Sequence, residues 1–535
     1  MSIRSRFRLR NIAAVTALVA AATMIIVLPQ SSAAQPGSAP PPITWGECTE
    51  ADLAPIPQPD RARFTCGSQV VPLDHERPEH GTINIALMRR AASKPYAKIG
   101  SLFINPGGPG GPGFHFAWIA EQFLQPEVLD RFDVIGFDPR GVGRSTPLRC
   151  FATQEDSDAV RGRMAQLPIT DAEERSTVDA TRDFGRFCER FAGPLIEHMS
   201  TEAVARDLDL LRAGVGDRRL NYVGLSYGTL LGATYANMFP DKARAMLLDG
   251  NVDPTLRTLD GLEYDRQRTN GFEIALDAML TRCDQAGPAC AFSDGDPRAR
   301  YDEIRRHLRD VGPITIPGHT VDLGLFVSGS AGALYRSADL AGFAKKLKAL
   351  RDAIQPAERR VPLTAADVAD LARFARLGQL DTHPDTPYSG DDSGSAVNCT
   401  DKPFNHRPQE LPRIADTWDR QMPRFGRYLA WNDPRACSAW PLRDPDAYRG
   451  PWNRRTPNPV MLVGSYYDPA TQYDFSKRMA SQLGNAFLVS MDAFGHTAVG
   501  TSGCLDKIAT RYLVDLRAPG SGTVCHPNTQ PFPGS

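Results

Sequence analysis

The sequence has no excess of charge of either sign. Its 61 lysines and arginines are balanced by 62 aspartates and glutamates, which gives a formal net charge of -1. Nucleic-acid-binding proteins usually carry a clear basic excess that neutralises phosphates, so the balance argues against a nucleic-acid partner. Hydrophobic residues make up 41% and charged residues 23% of the 535 positions, which is ordinary for a globular protein and argues against extensive disorder.

Long hydrophobic runs are absent after the N-terminal segment, so no stable membrane insertion of the mature protein is expected. At the N-terminus, four arginines between residues 4 and 10 precede an apolar stretch at 12–28 and small residues at 31–34. That order predicts a secretory signal peptide over residues 1–34, cleaved after Ala34. A single membrane anchor is the alternative, because the apolar stretch is close to the lower length limit for spanning. We expect a secreted protein, either extracellular or associated with the cell wall.

Cysteine pairs of the CxxC type are also absent, which weighs against a zinc site, and no metal is predicted. The chain has ten cysteines, all outside the signal segment, and an even number in an exported chain favours disulfides. The count alone does not fix the connectivity, since ten cysteines allow about 945 pairings. We expect successive neighbours in the sequence to pair: Cys48 with Cys66, Cys150 with Cys188, Cys283 with Cys290, Cys399 with Cys437, and Cys504 with Cys525.

Short apolar runs alternate with helical patterns along much of the chain. Alternating segments at 69–73 and 82–88 predict paired edge strands. Helical patterns at 202–213 and 227–239 lie between apolar runs, and such alternation predicts a mostly parallel sheet covered by helices on both faces. The apolar runs lie at residues 99–105, 132–137, 221–224, 245–248, 459–463 and 486–490.

The stretch from 255 to 455 differs, because it contains helical patterns and few strand signals. We interpret it as a helical cap inserted between sheet strands, with the core in residues 35–254 and 456–535. A polar run at 381–395 interrupts the cap. The helical patterns lie at residues 259–283, 297–311, 340–354 and 365–377.

The sharpest motif is Gly-Leu-Ser-Tyr-Gly at residues 224–228. It follows an apolar run and opens a helical pattern, which is the context that a nucleophile elbow requires. Glycines at both ends allow the tight turn that presents the hydroxyl of Ser226 above the sheet. The sequence therefore predicts Ser226 as a catalytic nucleophile.

A glycine-rich loop, Asn-Pro-Gly-Gly-Pro-Gly-Gly at 105–111, directly follows a predicted strand. Residues without side chains let backbone N–H groups approach a substrate oxygen closely, as an oxyanion hole requires. A phosphate-binding loop is disfavoured because no Gly-Lys-Ser/Thr follows, and a structural turn is the remaining alternative. With the serine motif downstream, we predict the backbone N–H groups of Gly108 and Tyr227 as oxyanion donors.

The partners of such a serine follow it in the order acid, then histidine. His496 lies in a glycine-flanked loop right after a predicted strand, and Asp468 lies in the turn that follows another strand. Asp249 is the rival acid because it also ends a strand. Asp474 and Asp492 are weaker candidates, the first in a helical pattern and the second between strand and histidine. The predicted catalytic residues are Ser226, Asp468 and His496.

Together these motifs resemble the α/β-hydrolase family, and more narrowly its secreted actinobacterial tripeptidyl aminopeptidases and mycobacterial exported serine proteases. The similarity extends over nearly the whole mature chain. It implies an α/β-hydrolase fold with an inserted cap, hydrolysis of peptides from a free N-terminus, and no cofactor. Members of the prolyl branch begin the glycine loop with His-Gly-Gly, whereas Asn105 and Pro106 stand here, which favours the tripeptidyl branch. The matching stretches are residues 105–111, 137–145, 224–228, 398–401 and 468–471, with His496.

The predicted function is therefore a secreted serine aminopeptidase that releases short peptides, with peptides or small esters as substrates. An aminopeptidase needs a negative group for the substrate ammonium, and Asp401 and Glu202 are the candidates. A carboxylesterase or a serine endopeptidase with the same catalytic residues is the alternative. A binding module on an inactive hydrolase fold is disfavoured because Ser226, Asp468 and His496 are all present.

Overall fold

The computed structural model describes residues 41–316, 319–355 and 387–532. The predicted signal peptide at 1–34 and the helical pattern at 365–377 lie outside the described residues, as does the first part of the polar run at 381–395. No helix within the described ranges is long and apolar enough to cross a membrane.

A ten-stranded sheet runs through the molecule in the order β1-β2-β3-β5-β4-β6-β7-β10-β11-β12, and β8 and β9 form a separate antiparallel pair. In this sheet, neighbouring strands are parallel from β5 through β4, β6, β7, β10 and β11 to β12. Strands β1, β2 and β3 are added beside β5 by antiparallel pairing. The strands are β1 (Trp45–Gly46), β2 (Phe64–Pro72), β3 (Thr82–Arg90), β4 (Gly100–Asn105), β5 (Phe132–Phe137), β6 (Leu220–Leu225), β7 (Ala243–Asp249), β8 (Ile314–Ile316), β9 (His319–Val321), β10 (Val460–Tyr467), β11 (Ala486–Phe494) and β12 (Val524–Cys525).

The helices cover both faces of the sheet and make up much of the described part of the long segment between β7 and β10. Those of the first half are α1 (Glu50–Leu53), α2 (Phe116–Ile119), α3 (Pro126–Arg131), α4 (Gln154–Arg161), α5 (Asp171–Phe191), α6 (Thr201–Gly214), α7 (Gly228–Met238), α8 (Pro254–Leu259) and α9 (Gly261–Ala286). Those of the second half are α10 (Pro297–Asp310), α11 (Leu323–Ala333), α12 (Leu340–Ile354), α13 (Ser393–Asp401), α14 (Leu411–Gln421), α15 (Gly426–Ala430), α16 (Asp433–Ser438), α17 (Tyr473–Gln482) and α18 (Gly503–Asp515).

Alternate residues of the central strands pack into different hydrophobic clusters, one on each face of the sheet. In β4, Leu102 and Ile104 pack with α3 and α18, whereas Phe103 packs on the opposite face with α6 and α7. Because successive side chains of a strand point to opposite faces, a strand covered on both sides is apolar throughout. All six residues of β4 and of β5 are buried. The predicted fold class, a mostly parallel sheet with helices on both faces, is confirmed.

The segment between β7 and β10, residues 250–459, is called the insert below. Its helices bury their own apolar cluster, in which Phe272, Tyr301 and Phe326 are almost completely shielded from solvent. The β8–β9 pair is a strand element that the helical patterns did not predict. The described residues form one compact unit, so the division into core and cap at 254/255 and 455/456 stays a prediction.

Five disulfides join successive cysteines along the chain, as predicted, and none of the ten remains free. They bridge Cys48 and Cys66, Cys150 and Cys188, Cys283 and Cys290, Cys399 and Cys437, and Cys504 and Cys525. Each bond closes a local loop, with separations of 7 to 38 residues. Such dense cross-linking is typical of proteins that meet an oxidising environment.

Candidate active site

Ser226 lies in the tight turn between β6 and α7. Its backbone has φ of 56°, a left-handed conformation that is uncommon for a residue with a side chain and is often found at functional sites. A Cβ at Gly224 would collide with the carbonyl oxygen of Gly228, and one at Gly228 would approach that of Asn105 to 2.7 Å. The Ser226 N–H donates to the Asp249 carbonyl oxygen at 2.9 Å, which ties the turn to the end of β7.

The glycine-rich loop after β4 packs directly against this turn. A Cβ at Gly107 would collide with the carbonyl oxygen of Leu225 and lie 2.8 Å from the amide nitrogen of Tyr227. The Gly107 N–H donates to the Asn105 side chain at 2.9 Å, which holds the loop in place. Among the described residues, the N–H groups of Gly108 and Tyr227 have no acceptor. Two unused donors beside the serine are what an oxyanion hole requires.

Asp468 and His496 form a hydrogen-bonded pair. The two carboxylate oxygens of Asp468 lie 3.0 and 2.9 Å from Nδ1 of His496, and the two side chains are 1% and 10% exposed. The carboxylate also accepts from the backbone N–H groups of Ala470 and Thr471 at 2.9 and 2.8 Å, and from Thr471 Oγ1 at 2.9 Å. These bonds fix the orientation of the carboxylate and so of the imidazole ring.

The insert also contacts His496, in addition to the contact made by Asp468. The His496 N–H donates to the carbonyl oxygen of Tyr335 at 2.8 Å. The Tyr335 ring meets the imidazole edge-on, with 5.5 Å between ring centroids and an interplanar angle of 85°. The histidine loop is therefore positioned by contacts with the turn after β10 and with the insert together.

Ser226 and His496 line one cavity of about 320 Å³. No hydrogen bond joins their side chains here, which is common in unliganded hydrolases whose catalytic contacts tighten when substrate binds. Among the described lining residues there is no carboxylate, but there are two arginines. The wall consists of Pro106, Gly108, Ser226, Tyr227, Val252, Arg257, Tyr264, Arg268, Tyr335, Asn398, Ala470, Thr471 and His496.

The rival acid Asp249 is buried at the end of β7 and makes no hydrogen bond with His496. Its Oδ2 accepts from the N–H groups of Ala498 and Val499 at 2.7 and 2.8 Å, whereas its Oδ1 is buried without a partner. Asp249 thus holds the loop that follows the histidine. Asp474 pairs with Lys477 at 2.6 Å, so it too lies apart from the imidazole.

Burial disfavours the charged form of Asp249 and raises its pKa from 3.8 to about 6, despite the two backbone donors. The folded protein therefore binds a proton at Asp249 more readily than the unfolded chain does. Its contribution to the free energy of unfolding falls as the pH rises from about 4 to above 6, by on the order of 3 kcal/mol. In Asp249→Asn, whose amide oxygen still accepts the two N–H bonds, that loss is absent. Melting temperatures measured from pH 4.5 to 8 should show the stability of the variant increasing relative to that of the parent as the pH rises. A difference that stays constant with pH would contradict the raised pKa of Asp249.

The two carboxylates predicted to bind a substrate ammonium do not line this cavity. Asp401 is 3% exposed and its oxygens accept from the N–H and hydroxyl of Thr201. Glu202 belongs to α6, where it pairs with Arg206, and it borders a separate small pocket. The prediction placed both near the substrate on charge alone, and their local partners keep them elsewhere.

Three residues at the site were not singled out from the sequence. Thr471 hydrogen-bonds Asp468 and lies 3.3 Å from His496 Nδ1, and it belongs to the motif that carries the acid. Tyr335 and Arg257 come from the insert, and no motif marks them. Only the three-dimensional packing of the insert over the sheet brings these two side chains to the cavity.

Comparisons with known proteins identify the family to which this chain is similar. A model described as "alpha/beta hydrolase fold" matches residues 100–278, and one described as "TAP-like protein" matches residues 421–525. The serine protease Hip1 of Mycobacterium tuberculosis is 33% identical over 508 residues, covering 90% of this chain and 91% of the relative. The tripeptidyl aminopeptidase of Streptomyces lividans is 29% identical over 92% of this chain and 88% of its own.

A third relative carries a different name. Carboxylesterase B of Mycobacterium tuberculosis is 31% identical over 511 residues, covering 91% of this chain and 90% of its own. Solved structures are more distant: an epoxide hydrolase from an endophytic Streptomyces aligns with 86% of this chain and 98% of its own at 14% identity, with a TM-score of 0.34. The sequence relatives confirm the resemblance inferred from the motifs.

Proposed function

Because the chain belongs to the α/β-hydrolase family and is a serine hydrolase, we propose that it is a secreted aminopeptidase that releases tripeptides from free N-termini. The observation that carries the proposal is the Asp468–His496 pair, whose imidazole lines one cavity with Ser226 and with the two residues that offer unused backbone donors. The name of the Streptomyces relative supports the tripeptidyl specificity. The five disulfides support an extracellular location.

In the proposed mechanism, Ser226 Oγ attacks the scissile carbonyl carbon while His496 Nε2 takes the hydroxyl proton. Since Asp468 accepts a hydrogen bond from Nδ1–H, the lone pair of the neutral imidazole lies on Nε2, the atom that must act as base. The tetrahedral oxyanion binds the N–H groups of Gly108 and Tyr227. Collapse of the intermediate expels the amine, which receives its proton from His496.

The second half of the cycle repeats these roles with water. His496 removes a proton from the water that attacks the acyl-enzyme, and then returns a proton to Ser226 Oγ as the peptide acid leaves. The residues required are all supplied by this chain. We therefore propose that the reaction proceeds without a cofactor.

A carboxylesterase is the second candidate, because the mycobacterial carboxylesterase B is as similar to this chain as the peptidases are. Both reactions pass through the same acyl-enzyme, and the geometry of the catalytic residues does not separate an ester from an amide. A serine endopeptidase would use the same residues as well. The recognition of a free N-terminus distinguishes these functions.

Acetylation of the N-terminus of a tripeptide substrate should lower kcat/KM by about tenfold to a hundredfold. An aminopeptidase must bind the substrate ammonium, and because the described cavity wall holds no carboxylate, neutral oxygen atoms would have to accept its hydrogen bonds. Acetylation removes the charge and these bonds, and hydrogen bonds to a charged group are worth about 1.5–3 kcal/mol. The measurement compares free and acetylated tripeptide p-nitroanilides, with p-nitrophenyl acetate as a control for the intact catalytic residues. Equal cleavage of the two peptides would refute the aminopeptidase and favour the esterase or the endopeptidase.

A further inference from the structure

Arg257 brings a buried positive charge to the catalytic cavity. It lies in α8, just beyond the end of β7, and is only 4% exposed. Its guanidinium lies 5.6 Å from the ring centroid of Tyr227 and 5.2 Å from that of Tyr264. Arg257 and Ser226 line the same cavity, so the charge borders the space in which a substrate would bind.

The guanidinium is only partly satisfied by the protein. One terminal nitrogen donates to Asn398 Oδ1 at 2.6 Å, whereas Nε is buried without an acceptor. Within the described ranges, Arg257 forms no ion pair with a carboxylate. Asp401 is electrostatically coupled to Arg257, but both oxygens of Asp401 already accept hydrogen bonds from Thr201.

A buried charge without an ion-pair partner is costly, and a ligand of opposite charge would remove much of the cost. Guanidinium groups bind carboxylates through two parallel N–H bonds, so a carboxylate is the group that best fits Arg257. Arg268 lines the same cavity and adds positive potential there. The described wall contains no carboxylate that would compete for Arg257.

We propose that Arg257 is the anion-binding residue of a specificity subsite, and that this enzyme prefers peptides with an aspartate or glutamate side chain next to the scissile bond. The inference rests on the proposed peptidase function and adds the substrate class to it. Asn398 accepts from one terminal nitrogen and so orients the guanidinium, whose remaining N–H groups are the donors proposed for the substrate carboxylate. Arg257 contacts substrate in this account and takes no part in proton transfer.

The test measures kcat/KM for free tripeptide p-nitroanilides in glutamate/glutamine pairs, varied at one position at a time. The parent should prefer glutamate by about tenfold to a hundredfold at the position next to the scissile bond, the range expected for a charge-assisted hydrogen bond. Arg257→Gln should bring the ratio close to one. Arg257→Lys should lower it, since lysine keeps the charge but lacks the planar fork. Arg413→Gln removes an exposed arginine of the insert and should leave the ratio unchanged.

Labelling of Ser226 by a fluorophosphonate checks that each variant has an intact site. If Arg257→Gln is not labelled, the glutamate preference of Arg257→Lys is the test of the subsite. The absence of a glutamate preference at the position next to the scissile bond in the parent would overturn the subsite. So would a preference that persists undiminished in the labelled Arg257 variants. If acetylated and free peptides are cleaved equally while the glutamate preference depends on Arg257, the aminopeptidase assignment fails and the subsite stands.

Discussion

Replacement of Ser226 by alanine should lower kcat for both peptide and ester substrates by a factor on the order of 10⁶, the cost of losing a serine nucleophile in a comparable catalytic triad. The hydroxyl forms the acyl-enzyme, and no neighbouring side chain in the described cavity wall offers an equivalent hydroxyl at the turn. Alanine has no larger side chain than serine, so the turn should keep its conformation. Steady-state kinetics with a tripeptide p-nitroanilide and p-nitrophenyl acetate measure the effect.

The control is Ser481→Ala, which removes a hydroxyl from α17 that bonds only a carbonyl oxygen of its own helix. That variant should retain the activity of the parent. The melting temperature of Ser226→Ala should stay close to that of the parent, which separates lost chemistry from lost structure. Residual activity of Ser226→Ala within tenfold of the parent would show that another residue is the nucleophile.

Asp468→Asn should lower kcat by about 10⁴-fold, as the equivalent change does in a well-studied triad. The amide oxygen can still accept from the N–H groups of Ala470 and Thr471, so the turn should survive. The amide NH₂ then faces His496 Nδ1 as a donor, which favours the tautomer with its proton on Nε2. That tautomer is unable to accept the proton of Ser226.

Asp249→Asn is the matched control for this second prediction. Asp249 is as buried as Asp468, but it bonds the backbone of Ala498 and Val499 rather than the imidazole. Its replacement should therefore lower kcat by less than about 100-fold, whereas Asp468→Asn should lower it by about 10⁴-fold. A greater loss in Asp249→Asn than in Asp468→Asn would mean that the acid comes from β7.

Local patterns predicted the sheet well. The apolar run at 132–137 corresponds to β5 residue for residue, and the helical pattern at 340–354 corresponds to α12. Buried parallel strands are continuous apolar runs, and such runs can be recognised in the sequence alone. The disulfides followed the order of the chain because each closes a local loop. The β8–β9 pair was missed because each of its strands has only three residues, too few for a periodic pattern.

Site residues could be predicted where a sequence motif determines their position. They could not be predicted where tertiary packing determines it. Ser226 lies in a turn that needs glycines at set positions, so it is visible in the sequence. Asp401 was misplaced because its partner, Thr201, lies 200 positions away in the chain. Arg257 looks like an ordinary helical arginine until the insert brings it against Tyr227. Contacts between distant segments decide which charges reach the cavity.

The most direct test of the catalytic assignment is to find the site of covalent modification by a fluorophosphonate. The protein is labelled with and without a saturating free tripeptide, digested, and analysed by mass spectrometry. We predict one adduct, on the peptide that contains Ser226, whose formation is slowed by the free tripeptide and strongly reduced in Asp468→Asn. An adduct on a different residue, or no adduct on the folded protein, would contradict the assignment of Ser226 as the nucleophile.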